Sequence, residues 1–181
     1  MKELSLNILD IAQNSVRANA TLILIELLET DTTFTFTITD DGCGMDEKLL
    51  KSVTDPFTTT RTTRKVGLGI PLLKLAAEMT GGYVEISSSV GENHGTKTKA
   101  HFFKNHIDYT PLGDIIGTVC TLVQGSPQID FVFVHEMTNG SVSLDTRQMR
   151  EILGDQTPLN DPEILIWIKD SMSQEYEMLK K

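Results

Sequence analysis

The chain has 181 residues, of which 39% are hydrophobic and 23% are charged, and its formal net charge is −9. This length and composition are typical of a globular protein with a sizeable core and argue against intrinsic disorder. The acidic balance argues against nucleic acid or an anionic membrane as the main partner, because proteins that bind them usually carry a basic field.

The first 104 residues predict two long helices, each followed by a hairpin, and one short helix between the two halves. Residues 5–18 place Ile8, Ile11 and Val16 on one helical stripe. Two runs rich in β-branched and aromatic residues follow and are typical of a hairpin. The predicted elements are a helix at 5–18, strands at 21–28 and 33–39, a short helix at 46–53, a helix at about 70–79, and strands at 83–88 and 96–103. This order favours an α+β class, a two-layer α/β sandwich with helices on one face of a mostly antiparallel sheet.

Residues 105–111 are interpreted as a boundary between a domain at 1–104 and a small α+β C-terminal module at 105–181, whose role the sequence does not indicate. The module begins with a predicted helix at 112–124. A hairpin is expected around Asn139 and Gly140, since Asn-Gly favours a tight turn. A helix at 146–153 and a final helix capped by Asp161 and opened by Pro162 complete the module.

Three polar side chains share one face of the first predicted helix. Asp10, Asn14 and Arg17 stand at positions i, i+4 and i+7. An acid, an amide and a cation on one line could polarise water, hold a hard cation and neutralise phosphate. The alternative for this segment alone is an ordinary solvated helix face.

The segment ITDDGCGM, residues 38–45, ends a predicted strand in acids and turns through Gly42 and Gly44. These glycines permit positive φ or the close approach of a ligand to the backbone. Asp40 at the strand end could accept a hydrogen bond from an exocyclic amine such as that of adenine. The alternative is a plain turn, in which Asp-Gly is common.

The segment DPFTTTRTTRKVGLGIPLL, residues 55–73, gathers hydroxyls and three basic residues before a glycine pair. Its Gly67-Leu68-Gly69 turn precedes a predicted helix, whose free N–H groups and dipole favour an anion. Arg61, Arg64 and Lys65 could close onto phosphates. The turn fits neither a Walker loop nor a dinucleotide fingerprint, and a solvated basic loop is the alternative.

The sequence lacks the patterns of a His/Cys metal site, a secretory signal and a membrane-spanning helix. The four histidines and two cysteines show no pairing typical of a metal site, and Cys43 and Cys120 form no CxxC pair. No secretory signal follows Met1, and no apolar run approaches the ~20 residues that span a bilayer. We therefore expect a reduced, cytoplasmic protein that binds neither membranes nor nucleic acid.

Taken together, these segments resemble the GHKL superfamily, the Bergerat ATP-binding fold of histidine kinases, mismatch-repair ATPases, type II topoisomerases and heat-shock chaperones. The family pattern is an N-box, a DxGxG box, an F-box, a GxG box and a final glycine–threonine turn. The sequence has DIAQNSVRANA, DDGCG, DPFTTT, GLGI and GT in that order within residues 4–103. Single boxes are poorly specific, but five in register are a strong resemblance.

The resemblance implies ATP and Mg²⁺ as cofactors and assigns roles residue by residue. Asn14 would ligate magnesium, and Asp40 would read the adenine amine. Residues 46–66 would form the ATP lid. The remaining residues implied to bind nucleotide are Arg17, Gly42, Gly44, Met45, Phe57, Arg61, Arg64, Lys65, Gly67, Leu68, Gly69 and Thr96, the last supporting Asp40 or its water.

Three departures from the family pattern bear on catalysis. Asp10 stands where the family usually has a glutamate or histidine and is one methylene shorter than glutamate, and a base misplaced by about 1 Å can lose ~100-fold in rate. Lys65 occupies the place of a frequent glycine, and the final turn has two extra residues. Hydrolysis is therefore expected to be slow, or Asp10 to orient water rather than take a proton.

Because only six residues precede Asn7, we expect no helix pair with a phosphoacceptor histidine ahead of the domain. A kinase of this kind would transfer phosphate to another protein in trans, as the anti-sigma-factor serine kinases of the superfamily do. The alternative is an ATP-operated switch or partner-binding module with little or no catalysis. The whole-chain layout is similar to small ATP-binding proteins associated with iron hydrogenase components. A protein partner is expected, and a homodimer is compatible with these features.

Overall fold

The computed structural model describes residues 3–54, 69–154 and 156–180. Each predicted helix and strand is present close to its predicted bounds. The helices are α1 (Leu4–Arg17), α2 (Glu47–Thr54), α3 (Gly69–Met79), α4 (Ile115–Gly125), α5 (Thr146–Leu153) and α6 (Pro162–Leu179). The strands are β1 (Leu22–Glu29), β2 (Thr33–Asp40), β3 (Tyr83–Ser89), β4 (Gly95–Phe103), β5 (Asp130–Met137) and β6 (Gly140–Asp145).

The six strands form one mixed sheet in the order β3–β4–β2–β1–β5–β6. Among these described strands, β1 and β5 run parallel, with Ile25 beside Phe133, and the other neighbouring pairs are antiparallel. The predicted α+β class is confirmed. The C-terminal strands extend the sheet of the first half, and the division of the chain after residue 104 stays a prediction.

The alternation along β2 decides which side chain reaches the helical layer. Phe34, Phe36 and Ile38 are buried at every second position, since successive strand residues point to opposite faces. Asp40 continues the same phase and is also buried, at 9% exposure. The hydrophobic pattern of the strand therefore delivers a carboxylate to the interface between sheet and helices.

The segment before α4 completes the start of α1. Glu3 precedes α1 without capping it through its side chain. Instead, the N–H of Leu4 donates to the carbonyl of Pro111 at 2.9 Å, and the N–H of Ser5 donates to that of Leu112 at 2.8 Å. These bonds satisfy two of the donors that a helix start leaves free. They also fasten the 105–114 segment to the helix that carries Asp10 and Asn14.

A buried histidine joins β5 to β1 and α6. His135 is 2% exposed, and its Nδ1 lies 2.8 Å from the hydroxyl oxygen of Tyr176. Its Nε2 is 3.2 Å from Oε2 of Glu29 but is not aligned with it as a hydrogen bond. Lys104 donates to the other oxygen of Glu29 at 2.7 Å. Burial lowers the pKa of His135 below its ordinary value of 6.5, against the opposing effect of Glu29.

The free energy of unfolding is expected to fall as pH drops below about 6.5, because the unfolded chain then binds a proton that folded His135 resists. His101, whose pKa is lowered by burial and by Lys99, acts in the same direction. His135→Gln should therefore reduce the pH slope without removing it. Denaturant titrations at several pH values measure both slopes, and His106→Gln reports the same substitution at an exposed histidine. Equal slopes for wild type and His135→Gln would contradict the prediction.

Candidate functional site

A pocket of about 280 Å³ opens between the helical layer and the end of the sheet where β2 stops. Its walls come from α1, the 41–45 turn, α2, the start of α3, and β4. The residues lining it are Ile11, Asn14, Ser15, Arg17, Ala18, Asp40, Cys43, Gly44, Met45, Leu49, Val53, Ile70, Thr96 and Thr98. Six of the predicted site residues are among them: Asn14, Arg17, Asp40, Gly44, Met45 and Thr96.

The carboxylate of Asp40 is fixed on both oxygens. Ser15 on α1 donates its hydroxyl to Oδ2 at 2.5 Å, and the N–H of Gly42 donates to Oδ1 at 2.9 Å. An ionised carboxylate has about four acceptor positions, so two donors leave capacity for a ligand donor. The side chain is therefore buried, held in one orientation and still able to accept.

The 41–45 turn needs glycine at two positions for reasons of space. Gly44 has φ +71°, and a Cβ there would lie 1.8 Å from the carbonyl oxygen of Ser89. A Cβ at Gly42 would lie 2.8 Å from the Cβ of Ala18. The turn is thus pressed between the end of α1 and the end of β3, which places its backbone against the pocket.

The turn is also hydrogen-bonded to the β3–β4 hairpin. His94 Nδ1 lies 2.7 Å from the carbonyl oxygen of Gly42, so it carries the proton and donates. The hydroxyl of Ser88 accepts from the N–H of Met45 at 2.7 Å and donates to the carbonyl of Gly95 at 2.8 Å. Thr96 donates its hydroxyl to Ser88, at 2.8 Å. Three side chains of one hairpin thereby hold the pocket floor.

Thr96 therefore supports the turn by a route that the sequence did not indicate. It is the β-sheet neighbour of Asp40, as its position in the final glycine–threonine turn suggests. Its hydroxyl, however, donates a hydrogen bond to Ser88. Asp40 instead accepts a hydrogen bond from the hydroxyl of Ser15. A serine on α1 thus donates to Asp40, and the support of Asp40 or its water by Thr96 stays a prediction.

The neighbouring acid, Asp41, has a structural role. Its carboxylate accepts from the N–H of Thr21 at 2.7 Å, the hydroxyl of Thr21 at 2.5 Å and the N–H of Leu22 at 2.9 Å. Burial raises the pKa of Asp41, but these hydrogen bonds outweigh it and hold the pKa below 3.8. Of the two consecutive acids, only Asp40 lines the pocket.

The polar face of α1 lies at the other end of the pocket. Arg17 donates to Oδ1 of Asn14 at 3.1 Å, and both residues line the pocket. Asp10 is not among the lining residues; it faces the start of α3, where a Cβ at Gly69 would lie 3.7 Å from its Oδ2. The predicted acid–amide–cation line is present on one helix, with the acid directed toward the first residue of α3.

Two of the remaining predicted binding residues, Gly42 and Gly69, are among the described residues. Gly42 forms the floor of the turn and Gly69 begins α3. The others lie outside the described residues: Phe57, Arg61, Arg64, Lys65, Gly67 and Leu68. The lid predicted at 46–66 is described only as far as α2, which supplies Leu49 and Val53 to the pocket. The roles assigned to all of these residues stay predictions.

Sequence reasoning missed Ser15, Ser88 and His94. Ser15 falls at helical spacing with the apolar residues of α1, and it is buried at 3% exposure. A buried serine needs a hydrogen-bond partner, which is the one signal that could have singled it out. Its partner is 25 residues away in sequence, and His94 reaches a partner 52 residues away.

The described residues contain neither a candidate metal cluster nor a candidate membrane span. Within residues 3–54, 69–154 and 156–180, no group of three or more His, Cys, Asp or Glu side chains could hold a metal ion. None of the described helices is long and apolar enough to cross a membrane.

A two-layer α+β sandwich with a pocket between α1 and a fixed carboxylate at the end of β2 matches the architecture that the sequence motifs imply. The chain belongs to the family of histidine kinase-, DNA gyrase B- and HSP90-like ATPases, which matches residues 1–107. The GHKL resemblance of the sequence is thereby confirmed, and the chain is a member of an ATP-binding family.

One individual relative matches just over half of the chain at low identity. The chain is 29% identical over 103 residues to a protein of Shewanella frigidimarina (strain NCIMB 400) that is named as a sensor protein. The match covers 56% of this chain and 15% of that protein, so the chain spans a small part of this relative's length.

Two solved structures share the fold. The N-terminal domain of a DNA repair protein matches 80% of this chain and 52% of its own, with a TM-score of 0.54 and 15% identity. The MutL ATPase domain of Aquifex aeolicus complexed with ADP matches 87% of this chain and 70% of its own, with a TM-score of 0.51 and 12% identity.

Proposed function

We propose that the chain binds ATP with Mg²⁺ in the pocket at Asp40 and transfers the γ-phosphoryl group to a partner protein or to water. The observation that carries the proposal is Asp40 itself, a buried carboxylate fixed by Ser15 and Gly42 in a member of an ATPase family. The MutL domain of similar fold is itself complexed with ADP, which supports a nucleotide as the ligand.

The adenine base would enter at Asp40. Its exocyclic amine is a donor, and the free acceptor positions of Asp40 suit it. The apolar side chains of Ile11, Met45 and Ile70 line the same pocket and would pack on the faces of the base. An amine donor and flat apolar faces together favour adenine over guanine, which presents a carbonyl at the corresponding position.

The phosphates would lie toward Arg17 and the start of α3. The N–H groups of a helix start attract anions, and α3 begins at Gly69 beside the pocket residue Ile70. Arg17 adds a fixed positive charge on this side. The predicted lid residues Arg61, Arg64 and Lys65 would add cations from the chain segment that immediately precedes α3.

The donor set fits a magnesium ion that binds together with the nucleotide. The amide oxygen of Asn14 is a hard ligand in the pocket, and it would exchange the hydrogen bond from Arg17 for the cation. Mg²⁺ typically takes one or two protein oxygens and completes its coordination with phosphates and water. When bound, it would neutralise charge on the phosphates.

Asp10 is the proposed acid for activating or orienting water. It lies one helical turn before Asn14 and faces Gly69, where the terminal phosphate would approach. Its carboxylate would accept a hydrogen bond from a water or from a partner's hydroxyl. As a short side chain, it would do so less effectively than a glutamate, which is consistent with slow turnover.

The second candidate is an ATP-operated switch with little catalysis. The position of Asp10 favours it, because the carboxylate faces α3 and is not among the residues lining the pocket. Binding of ATP would then present a surface to a partner, with no phosphoryl transfer.

One experiment with two readouts separates these functions. Mg-ATP at 100 times its dissociation constant should stabilise the folded chain by about 2.7 kcal/mol, seen as a higher melting temperature. ATP labelled on the γ-phosphate should release label to water or to a second protein in a source lysate, and Asp10→Asn should bind ATP but release less. Binding without movement of label would support the switch, and no shift at millimolar ATP would contradict both.

A further inference from the structure

A second pocket, the α5–α6 groove, lies on the C-terminal part of the chain. It has a volume of about 380 Å³ and is lined by Met149, Ile152, Leu153, Glu163, Ile164 and Trp167. Three of its apolar side chains are unusually open to solvent, with exposures of 85% for Ile152, 55% for Trp167 and 37% for Leu153. Clustered apolar exposure of this kind marks an interaction surface more often than isolated exposed residues do.

The groove forms because each of the two helices buries one side against the core and leaves apolar side chains beside that side exposed. α6 buries Ile164, Ile168 and Met172 on one stripe, so Trp167 points to the side of that stripe. α5 buries Met149, but its last turn carries Ile152 outward before Gly154. The described chain places no further element over this surface.

The rim of the groove is acidic. Glu163 lines it. Asp170 is exposed and follows Trp167 by three positions, which places it on the same side of α6. Glu151 is exposed next to Ile152 on α5. None of the described lining residues is basic.

Each arginine of α5 forms its ion pair with an acid outside the groove. Arg147 is paired with Asp145 at 2.7 Å, and Arg150 is paired with Asp130 at 2.8 Å. A second copy of the chain would bring its own acids to the same surface, and each copy carries a net charge of −9. The charge therefore favours a basic occupant over self-association.

We propose that the α5–α6 groove binds a basic amphipathic helix of a partner protein. The apolar face of that helix would pack on Ile152 and Trp167, and its lysines or arginines would lie near Glu163 and Asp170. This is the helix-in-groove mode, in which apolar anchors one turn apart give affinity and flanking charges give selectivity. The proposal does not depend on nucleotide binding, and it can be tested without nucleotide.

Trp167 is the only tryptophan in the chain, so it reports on its own groove. The probe is a synthetic peptide of about 15 residues with leucines on one helical face and lysines on the other. It should give a saturable blue shift of Trp167 emission. The same peptide with glutamates in place of lysines should bind at least about tenfold more weakly, because its charge matches that of the rim.

Substitutions in the groove test whether the lysine peptide binds there. Ile152→Asp should weaken binding of the lysine peptide about tenfold or more, since it puts a charge in place of an apolar anchor. Glu163→Lys should weaken it as well. Ile107→Asp is the matched control, because Ile107 is 95% exposed and outside the groove, and it should bind as wild type does. Circular dichroism confirms that each variant folds.

Three results would overturn the proposal. The first is no saturable shift with the lysine peptide. The second is equal losses in Ile152→Asp and Ile107→Asp, which would show binding to general surface charge. The third is concentration-dependent dimerisation in sedimentation velocity that Ile152→Asp removes, which would identify a second copy as the occupant. None of these results bears on whether ATP binds at Asp40.

Discussion

Replacing Asp40 with asparagine should weaken ATP binding about 10- to 100-fold. The carboxylate is the acceptor proposed for the adenine amine, and a hydrogen bond to a charged group contributes about 1.5–3 kcal/mol. Asparagine keeps one acceptor oxygen but turns its NH2 group toward either the hydroxyl of Ser15 or the N–H of Gly42. Because Ser15 and Gly42 already fix both oxygens, no simple rotation restores the original arrangement.

Isothermal titration with ATP and with GTP measures this loss and its selectivity. The matched control is Asp41→Asn, the same substitution at the adjacent acid, which bonds to Thr21 and Leu22 and does not line the pocket. It should lower the melting temperature while leaving ATP affinity nearly unchanged. If the two variants lose ATP affinity equally, or if Asp40→Asn binds ATP as wild type does, Asp40 does not read the base.

Replacing Gly44 with alanine should lower both ATP affinity and the melting temperature. The new Cβ would lie 1.8 Å from the carbonyl oxygen of Ser89, so the turn and the end of β3 must separate. The positive φ of +71° adds about 1–2 kcal/mol for any residue with a Cβ. Moving the turn would also disturb the hydrogen bond from Met45 to Ser88. A loss of ATP affinity of at least about tenfold is expected.

Gly91→Ala provides the control for backbone strain alone. Gly91 also has a positive φ, +91°, but an added Cβ there would meet no atom within 4 Å. It should destabilise the chain modestly and leave ATP affinity unchanged. Thermal melts and ATP titrations of both variants therefore separate two effects of the added Cβ. One is the strain of a positive φ, and the other is the clash with the carbonyl oxygen of Ser89. Similar behaviour of the two variants would show that the turn can move freely, contrary to the structure.

Much of the fold was predictable because it depends on local patterns. The apolar stripe of α1, the alternation of β2 and the Asn-Gly turn before β6 each reflect a repeat of a few residues, and each element appears close to its predicted bounds. Asn14 and Asp40, which the motif boxes singled out, line one pocket, and their binding roles stay predictions. The similarity to proteins associated with iron hydrogenase components stays a prediction.

The α5–α6 groove shows the limit of the same reasoning. The sequence predicted an amphipathic final helix, and its stripe of Ile164, Ile168 and Met172 is buried as expected. It did not predict that Trp167 and Ile152 would face each other in the open. Their proximity depends on how α5 and α6 pack, and helical periodicity assigns faces without saying which faces meet.

The sequence by itself determined the helices and strands, the α+β class, the membership of an ATP-binding family and the carboxylate at the end of β2. Only the tertiary structure decided that β5 lies parallel to β1, that Ser15 holds Asp40, that His94 and Ser88 hold the turn, and that Asp10 faces Gly69. The physical reason is distance along the chain. Periodicity and turn chemistry act between neighbouring residues, whereas these contacts join residues many positions apart, and they form when the packed core brings their elements together.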